Sequence, residues 1–194
     1  MKMFYLILII SFIGSNLAQT PGFGSCPSVK TVSSFDPSKY VGLWYENRRS
    51  IPNFFELGGK CVTANYSANN DRTIKVVNRK ISWLTGTESV IVGSAYADSL
   101  QCGNDTGCSK LIVEFPIPIV GNVQGTYWIL DTDYTSYSVV WSCTDFLFHH
   151  LKYLWLLTRE PKPIQSVLDK ADAIMEQYGI ADTPTMATNQ DDCP

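Results

Sequence analysis

Gly42-Leu43-Trp44-Tyr45-Glu46-Asn47-Arg48-Arg49-Ser50-Ile51 decides how the rest of this chain of 194 residues is read. It reads as the first of a series of short runs rich in aromatic and β-branched residues, and Pro52 closes it. Further runs of this kind fall at 61–68, 73–82, 87–97, 110–115, 125–131, 137–143 and 153–158, each set off by turn residues. The series predicts an all-β chain. Eight antiparallel strands close into an up-and-down β-barrel just wide enough to hold a small ligand, and closure leaves no sheet edge exposed. A β-sandwich is the alternative topology.

Beyond the last run, Pro161 and Pro163 precede Ile164, Val167, Leu168, Ala171, Ile174, Met175 and Tyr178, which recur at helical spacing up to Gly179. One C-terminal α-helix follows, its apolar stripe packed on the outside of the barrel. Ahead of the first run, Lys2, an apolar stretch over 3–13 and small residues up to Ala18 read as a cleaved signal peptide over 1–18. The stretch is shorter than the roughly 20 apolar residues that a spanning helix needs. Residues 19–194 then form a single domain, secreted to the extracellular space.

Charge excludes one class of partner. With 15 Lys and Arg against 18 Asp and Glu, and no basic run interleaved with aromatics, nucleic acid is not expected. Six cysteines, Cys26, Cys61, Cys102, Cys108, Cys143 and Cys193, form an even set that suits disulfides in an oxidising compartment, although spacing alone does not choose their pairing. The segment from Cys102 to Cys108 is rich in turn residues and can close a small loop on itself. No metal site is expected, because no histidine lies near these thiols.

Three stretches in order, Gly42-Leu43-Trp44-Tyr45-Glu46, Thr132-Asp133-Tyr134 and Leu157-Thr158-Arg159, resemble the signature motifs of the lipocalins, and the chain is similar to the apolipoprotein D-like branch of that family. The resemblance implies a carrier and not a catalyst. It also implies that Arg159 lies across the indole of Trp44 at the closed end, with Gly42, Thr132, Asp133 and Tyr134 as structural residues around it. Cys26 with Cys143 and Cys61 with Cys193 are the disulfides it implies, which leaves Cys102 and Cys108 as a third pair. That third pair, and a first loop longer by one residue before Pro52, depart from the family pattern.

Facing follows from alternation once one residue per strand is fixed. Asn65-Tyr66-Ser67 and Asn104-Asp105-Thr106 are glycosylation sequons. A glycan on Asn65 points outward, which sends Val62, Ala64 and Tyr66 inward. Arg159 reaching in to Trp44 puts Leu157, Trp155 and Tyr153 on the inner face. Tyr66 and Trp155 are the leading ligand-binding candidates, with Ala64 beside them; ordinary core filling is the plainer reading. Val76 and Asn78 share a face that the resemblance makes interior, and Tyr127 is a further candidate. Parity from Trp44 places Glu46 and Arg48 inward near the base, unless the added residue makes a bulge that turns either Arg48 or Arg49 toward the cavity. An arginine there needs an anion, either Glu46 or a ligand carboxylate.

The two ends of such a barrel differ. Loops at the Trp44 end are polar, whereas the other end carries Phe54, Phe55, Trp83, Leu84, Ile117, Ile119, Val120, Phe146, Leu147 and Phe148. These side chains either dock on a lipid or lipoprotein surface or fold back and plug the mouth. His149 and His150 share this end with Asp145, but no nucleophile order, phosphate loop or metal-ligand spacing surrounds them, so no catalytic residue is assigned. Solvated loop residues are expected there, with haem or metal ligation as the minority reading. The expected function is extracellular binding and transport of a small hydrophobic ligand, such as a lipid, sterol, fatty acid, retinoid, carotenoid or bilin, without a cofactor. The alternative is an interaction protein that meets lipoproteins or membranes through its apolar loops.

Overall fold

The computed structural model describes residues 20–52, 58–69, 71 and 73–194. The expected leader, Phe54 and Phe55 lie outside the described residues. Ten strands form one antiparallel sheet: β1 (Thr20–Phe23), β2 (Gly42–Ser50), β3 (Gly59–Ala68), β4 (Ile74–Ser82), β5 (Glu88–Ala97), β6 (Lys110–Ile117), β7 (Gly121–Thr132), β8 (Tyr137–Phe146), β9 (His149–Thr158) and β10 (Thr185–Ala187). Each strand from β2 to β9 pairs with the next in sequence, and β9 pairs back onto β2. The eight strands therefore close into the up-and-down barrel.

Register carries the alternation across the wall. Ala64 stands opposite Asn78 and Tyr66 opposite Val76, and these in turn oppose Ile91 and Gly93. Residues opposite one another in an antiparallel ladder share a face. Two apolar clusters result, one on each side of the wall. The inner one includes Trp44, Tyr66, Val76, Ile129, Val140 and Leu157. The outer one joins Val139, Trp141, Leu154 and Leu156 to Ala171 and Met175 of helix α3 (Gln165–Gln177). That helix ends where Gly179 takes a positive φ of 64°, the conformation that lets a chain leave a helix cheaply at glycine.

The hairpins run further than the composition of their strands suggests. β7 begins at Gly121 and β9 at His149, where expectation put strands from 125 and 153. Both extend because the ladder continues, Ile117 to Gly121 and Phe146 to His149, and a ladder lengthens while its backbone groups find partners. Outside the barrel, β1 pairs with β9 and β10 with β2. Two short helices, α1 (Pro37–Tyr40) and α2 (Ser99–Cys102), complete the chain, and Asp36 caps the first by accepting a hydrogen bond from the Ser38 amide at 3.0 Å.

Three disulfides are formed, Cys26–Cys143, Cys61–Cys193 and Cys102–Cys108, with Cα separations of 6.0, 5.6 and 5.7 Å. Two of them tie the terminal segments to the wall. Asn65 and Asn104 are both exposed.

Candidate ligand cavity

The closed end is built around Trp44, whose side chain is fully buried. Its indole Nε1 donates to the Tyr40 carbonyl at 2.9 Å, so the one polar atom of the ring is satisfied. Arg159 lies over the other face, its Cζ 3.7 Å from the ring centroid. The guanidinium also donates to the carbonyls of Tyr134 at 2.9 Å, Leu43 at 2.8 Å and Val41 at 3.0 Å. Two separate segments, 41–43 and the turn at Tyr134, are thereby clamped to the end of β9 by one side chain. Gly42 has to be glycine on two counts: its φ is +98°, and a Cβ there would sit 3.2 Å from Arg159 Nη1.

Thr132, Asp133 and Tyr134 shape the adjoining turn. The Thr132 hydroxyl donates to the Tyr137 carbonyl at 2.6 Å and accepts from the Tyr134 amide at 3.0 Å. Asp133 accepts from the amides of Ser136 at 2.7 Å and Thr135 at 3.0 Å. Partial burial works against its charge, but the amide hydrogen bonds from Ser136 and Tyr137 outweigh that and hold the carboxyl below its ordinary range.

Above this base, on the inner side of the barrel, lies a chain of hydroxyls. Tyr127 Oη lies 2.8 Å from Tyr66 Oη and 3.0 Å from Tyr40 Oη, and Tyr40 Oη lies 2.9 Å from Ser138 Oγ. Tyr40 was not expected at the site. It arrives through α1, which the N-terminal segment lays across the barrel end with Phe35 packed on Tyr40 at 5.3 Å. Burial, opposed by the hydrogen bonds to Ser138 and Tyr127, pushes the Tyr40 phenol from 10.0 up to about 12. Burial also raises Tyr127, and the neighbouring phenols add to it.

This has a direct consequence for alkaline stability. A phenol whose folded pKa exceeds its unfolded value stabilises the fold fully below pH 10, and that contribution fades as pH rises from 10 toward 12. Two units correspond to about 3 kcal/mol. Phenolate absorbance and unfolding followed together from pH 9 to 12 should show Tyr40 ionising only as the barrel opens. Equal unfolding midpoints at pH 9 and pH 11.5 would contradict the assignment.

The side walls place most of the sequence-derived candidates together. Ala64, Tyr66 and Val76 are buried in the inner cluster, with Tyr127 and Trp155 packed against it. Trp155 stacks with Tyr153 at 5.4 Å between centroids. Asn78 faces the same side, and its Oδ1 is buried with no hydrogen-bond partner, an acceptor that still lacks a donor.

Glu46 and Arg48 part company. The ladder between β2 and β9 shifts register between Glu46 and Arg48, so Asn47 is the extra residue of a β-bulge. Glu46 stands opposite Leu157 and Arg49 opposite Trp155, both inward, while Arg48 stands opposite Leu156 on the outer face. Arg48 is therefore corrected: it ion-pairs with Asp172 of α3, outside the cavity. Inside, Arg49 Nη1 meets Glu46 Oε1 at 2.5 Å, both side chains almost fully buried, and Thr188 bonds to both partners. The counter-anion of the inward arginine is thus supplied by the protein.

At the open end Trp83, Leu84, Ile119, Val120, Leu147 and Phe148 are strongly exposed. Among the described rim residues Ile117 is half-buried and Phe146 is 56% exposed. The histidines begin β9; His149 is solvent-exposed, as expected, whereas His150 departs from that expectation. His150 is buried, with Nδ1 3.1 Å from the Gly24 carbonyl, and His149 packs on Phe23. Among the described residues no cluster of His, Cys, Asp or Glu is arranged to hold a metal ion.

A Lipocalin-like domain model matches residues 35–190, which takes in every motif just described. The chain belongs to the lipocalin family. Among relatives of this lipocalin, apolipoprotein D of Mus musculus is 36% identical over 172 residues, covering 88% of this chain and 85% of that protein. Apolipoprotein D of Rattus norvegicus is 33% identical over 199 residues, covering 97% of each. The lipocalin is thus apolipoprotein D-like. Insecticyanin from the tobacco hornworm Manduca sexta shares its fold at a TM-score of 0.76 and 23% identity, over 88% of this chain and 89% of that one. Lipocalins are binding proteins for small hydrophobic ligands rather than enzymes, and this one keeps the barrel that such binding needs. No described helix is long and apolar enough to cross a membrane.

Proposed function

We propose that this lipocalin works outside the cell, binding and transporting a small hydrophobic molecule in the barrel lumen. The observation that carries the reading is the convergence of Tyr66, Val76, Tyr127, Trp155 and Asn78 on one inner surface closed below by the Trp44–Arg159 base. Apolar walls contribute about 25 cal/mol for each Å² of ligand surface removed from water, and a few polar groups then set orientation. Asn78 is the polar group that a ligand meets between the walls, and the Tyr66–Tyr127 hydroxyls are those it meets at the floor. Because Glu46 already neutralises Arg49, ligand carboxylates gain little from that arginine. In this reading residues 1–18 are removed on secretion and Asn65 and Asn104 accept glycans.

The test is native mass spectrometry of protein purified from a eukaryotic secretory host, followed by organic extraction. One lipophilic compound at near-stoichiometric amount is the expected result, and it names the ligand class. A protein that comes out empty and whose tryptophan fluorescence is unmoved by sterols, retinoids and fatty acids would overturn the reading.

The exposed rim favours a second role. Trp83 and Phe148 are 67% and 81% exposed at the same end as Ile119, and apolar surface gathered in this way is typical of an interaction site. Docking on a lipid or lipoprotein surface would put the mouth of the barrel against a source of ligand. Replacing Leu84, Ile119 and Phe148 together by Ser is expected to cut flotation with phosphatidylcholine liposomes at least severalfold while leaving the fold intact. Liposome binding that is equally weak before and after the change would count against it.

A further inference from the structure

The eight strands do not complete the wall by themselves. β2 and β3 are paired from Gly42 to Tyr45 against Thr63 to Tyr66, and beyond that point a strap from the C-terminal segment lies between them. β10 pairs with β2 through Thr185, Met186 and Ala187, opposite Ser50, Arg49 and Arg48. The Thr188 amide donates to the Asn47 carbonyl at 2.8 Å, and the Cys61 amide donates to the Asn189 carbonyl at 2.8 Å. Gln190 Nε2 donates to the carbonyls of both Glu46 and Val62 at 2.9 Å, joining the two separated strands through one side chain. Cys61–Cys193 then fixes the far end of the strap to β3.

Register sets which way the strap's side chains point. Met186 stands opposite Arg49, Arg49 opposite Trp155, and Trp155 opposite Val140, so these four share one level of the inner face. Thr188, two residues on, points the same way, as its bonds to Glu46 and Arg49 require. Met186 is nonetheless 45% exposed. Register therefore directs Met186 inward beside a buried ion pair, with surface still free for a contact.

From this we infer that Met186, contributed by the strap and not by the barrel strands, is a ligand-contacting residue that favours unsaturated, polarisable ligands. The inference rests on the carrier reading. A thioether is polarisable and flexible, and it gains more from a π-system than from a saturated chain of the same length. Together with Trp155 at the same level, it makes one band of the wall selective for conjugation. The strap's polar residues hold the band in place, while Met186 touches the cargo.

Methionine labelling gives the test an internal control. Met1 and Met3 fall in the expected leader, Met186 is inward by register, and Met175 is buried on the barrel-facing side of α3, against the outer face of the wall. In protein carrying ¹³C-methyl methionine, cis-parinaric acid is expected to move the Met186 signal and leave Met175 in place. Met186→Ala should weaken cis-parinaric acid about three- to tenfold and stearic acid, saturated and of equal length, less than twofold. Met186→Leu keeps the volume and should show the same loss for the tetraene. Binding of cis-parinaric acid with an unmoved Met186 signal, or unchanged affinity in both variants, would overturn the inference and leave the carrier reading standing. Failure of both fatty acids to bind the wild-type protein, with extraction also yielding nothing, would overturn both.

Discussion

Trp44→Ala is expected to lower the unfolding free energy by about 3–5 kcal/mol, the range found for a large buried aromatic replaced by a methyl group. Here the whole upper part of that range applies. The indole is fully buried, its Nε1 satisfies the Tyr40 carbonyl, and its face carries the Arg159 guanidinium. The cation–π contact alone is worth on the order of 1 kcal/mol. Removal therefore leaves a cavity, a Tyr40 carbonyl reduced to its long contact with Arg159 Nη2 at 3.5 Å, and a cation without its ring at the same place. Since a domain is stable by only about 5–15 kcal/mol, much of the margin goes with one side chain. Chemical denaturation at fixed pH measures it. Trp44→Phe, which keeps a ring under Arg159 but loses the donor, should fall between wild type and alanine. A midpoint unmoved by Trp44→Ala would mean that the base is not held in this way.

The second large effect is expected at the bulge. Glu46→Gln should destabilise by about 3–5 kcal/mol, because it strands the buried Arg49 charge without its anion. The double change Glu46→Leu with Arg49→Met removes both charges and should recover most of that loss, with Thr188 left to find a partner in the ladder. A double variant markedly more stable than the single one would be diagnostic of a desolvated pair. The same variants address ligand choice. If Arg49 were reserved for a ligand carboxylate, the double variant would lose affinity for cis-parinaric acid but not for its methyl ester; equal affinities are expected.

Much of this was legible in the residues, for identifiable reasons. Strand alternation around Asn65 and around Arg159 is unbroken, so Ala64, Tyr66, Trp155 and Leu157 could be faced inward without coordinates. Helix α3 carries its own period and its own stop at Gly179. Straight parity from Trp44 puts Arg48 inward, a bulge puts Arg49 there instead, and the shift at Asn47 selects the second by reversing parity after a single residue. An insertion is visible in a sequence, but the position at which the strand absorbs it is set by which pairing buries the charges best. Tyr40 carries no such signal although Asp36-Pro37 is a helix start in miniature, because a helix of four residues has no period to detect. The strap escaped for the same cause: Thr185-Met186-Ala187 is too short to alternate, and only its partners on β2 make it a strand.

The strap has one more implication, for the order in which the molecule comes into being. Cys61 and Cys193 are separated by 132 residues, and Cys26 and Cys143 by 117. Contacts so remote in sequence form late and slowly. During synthesis β2 and β3 emerge long before the segment that belongs between them. The nascent barrel must therefore carry Glu46 and Arg49 without Thr188, and Cys61 as an open thiol, while the remaining strands are made. The gap between β2 and β3 is a vacancy in the unfinished wall, filled by a segment translated more than a hundred residues after its two neighbours.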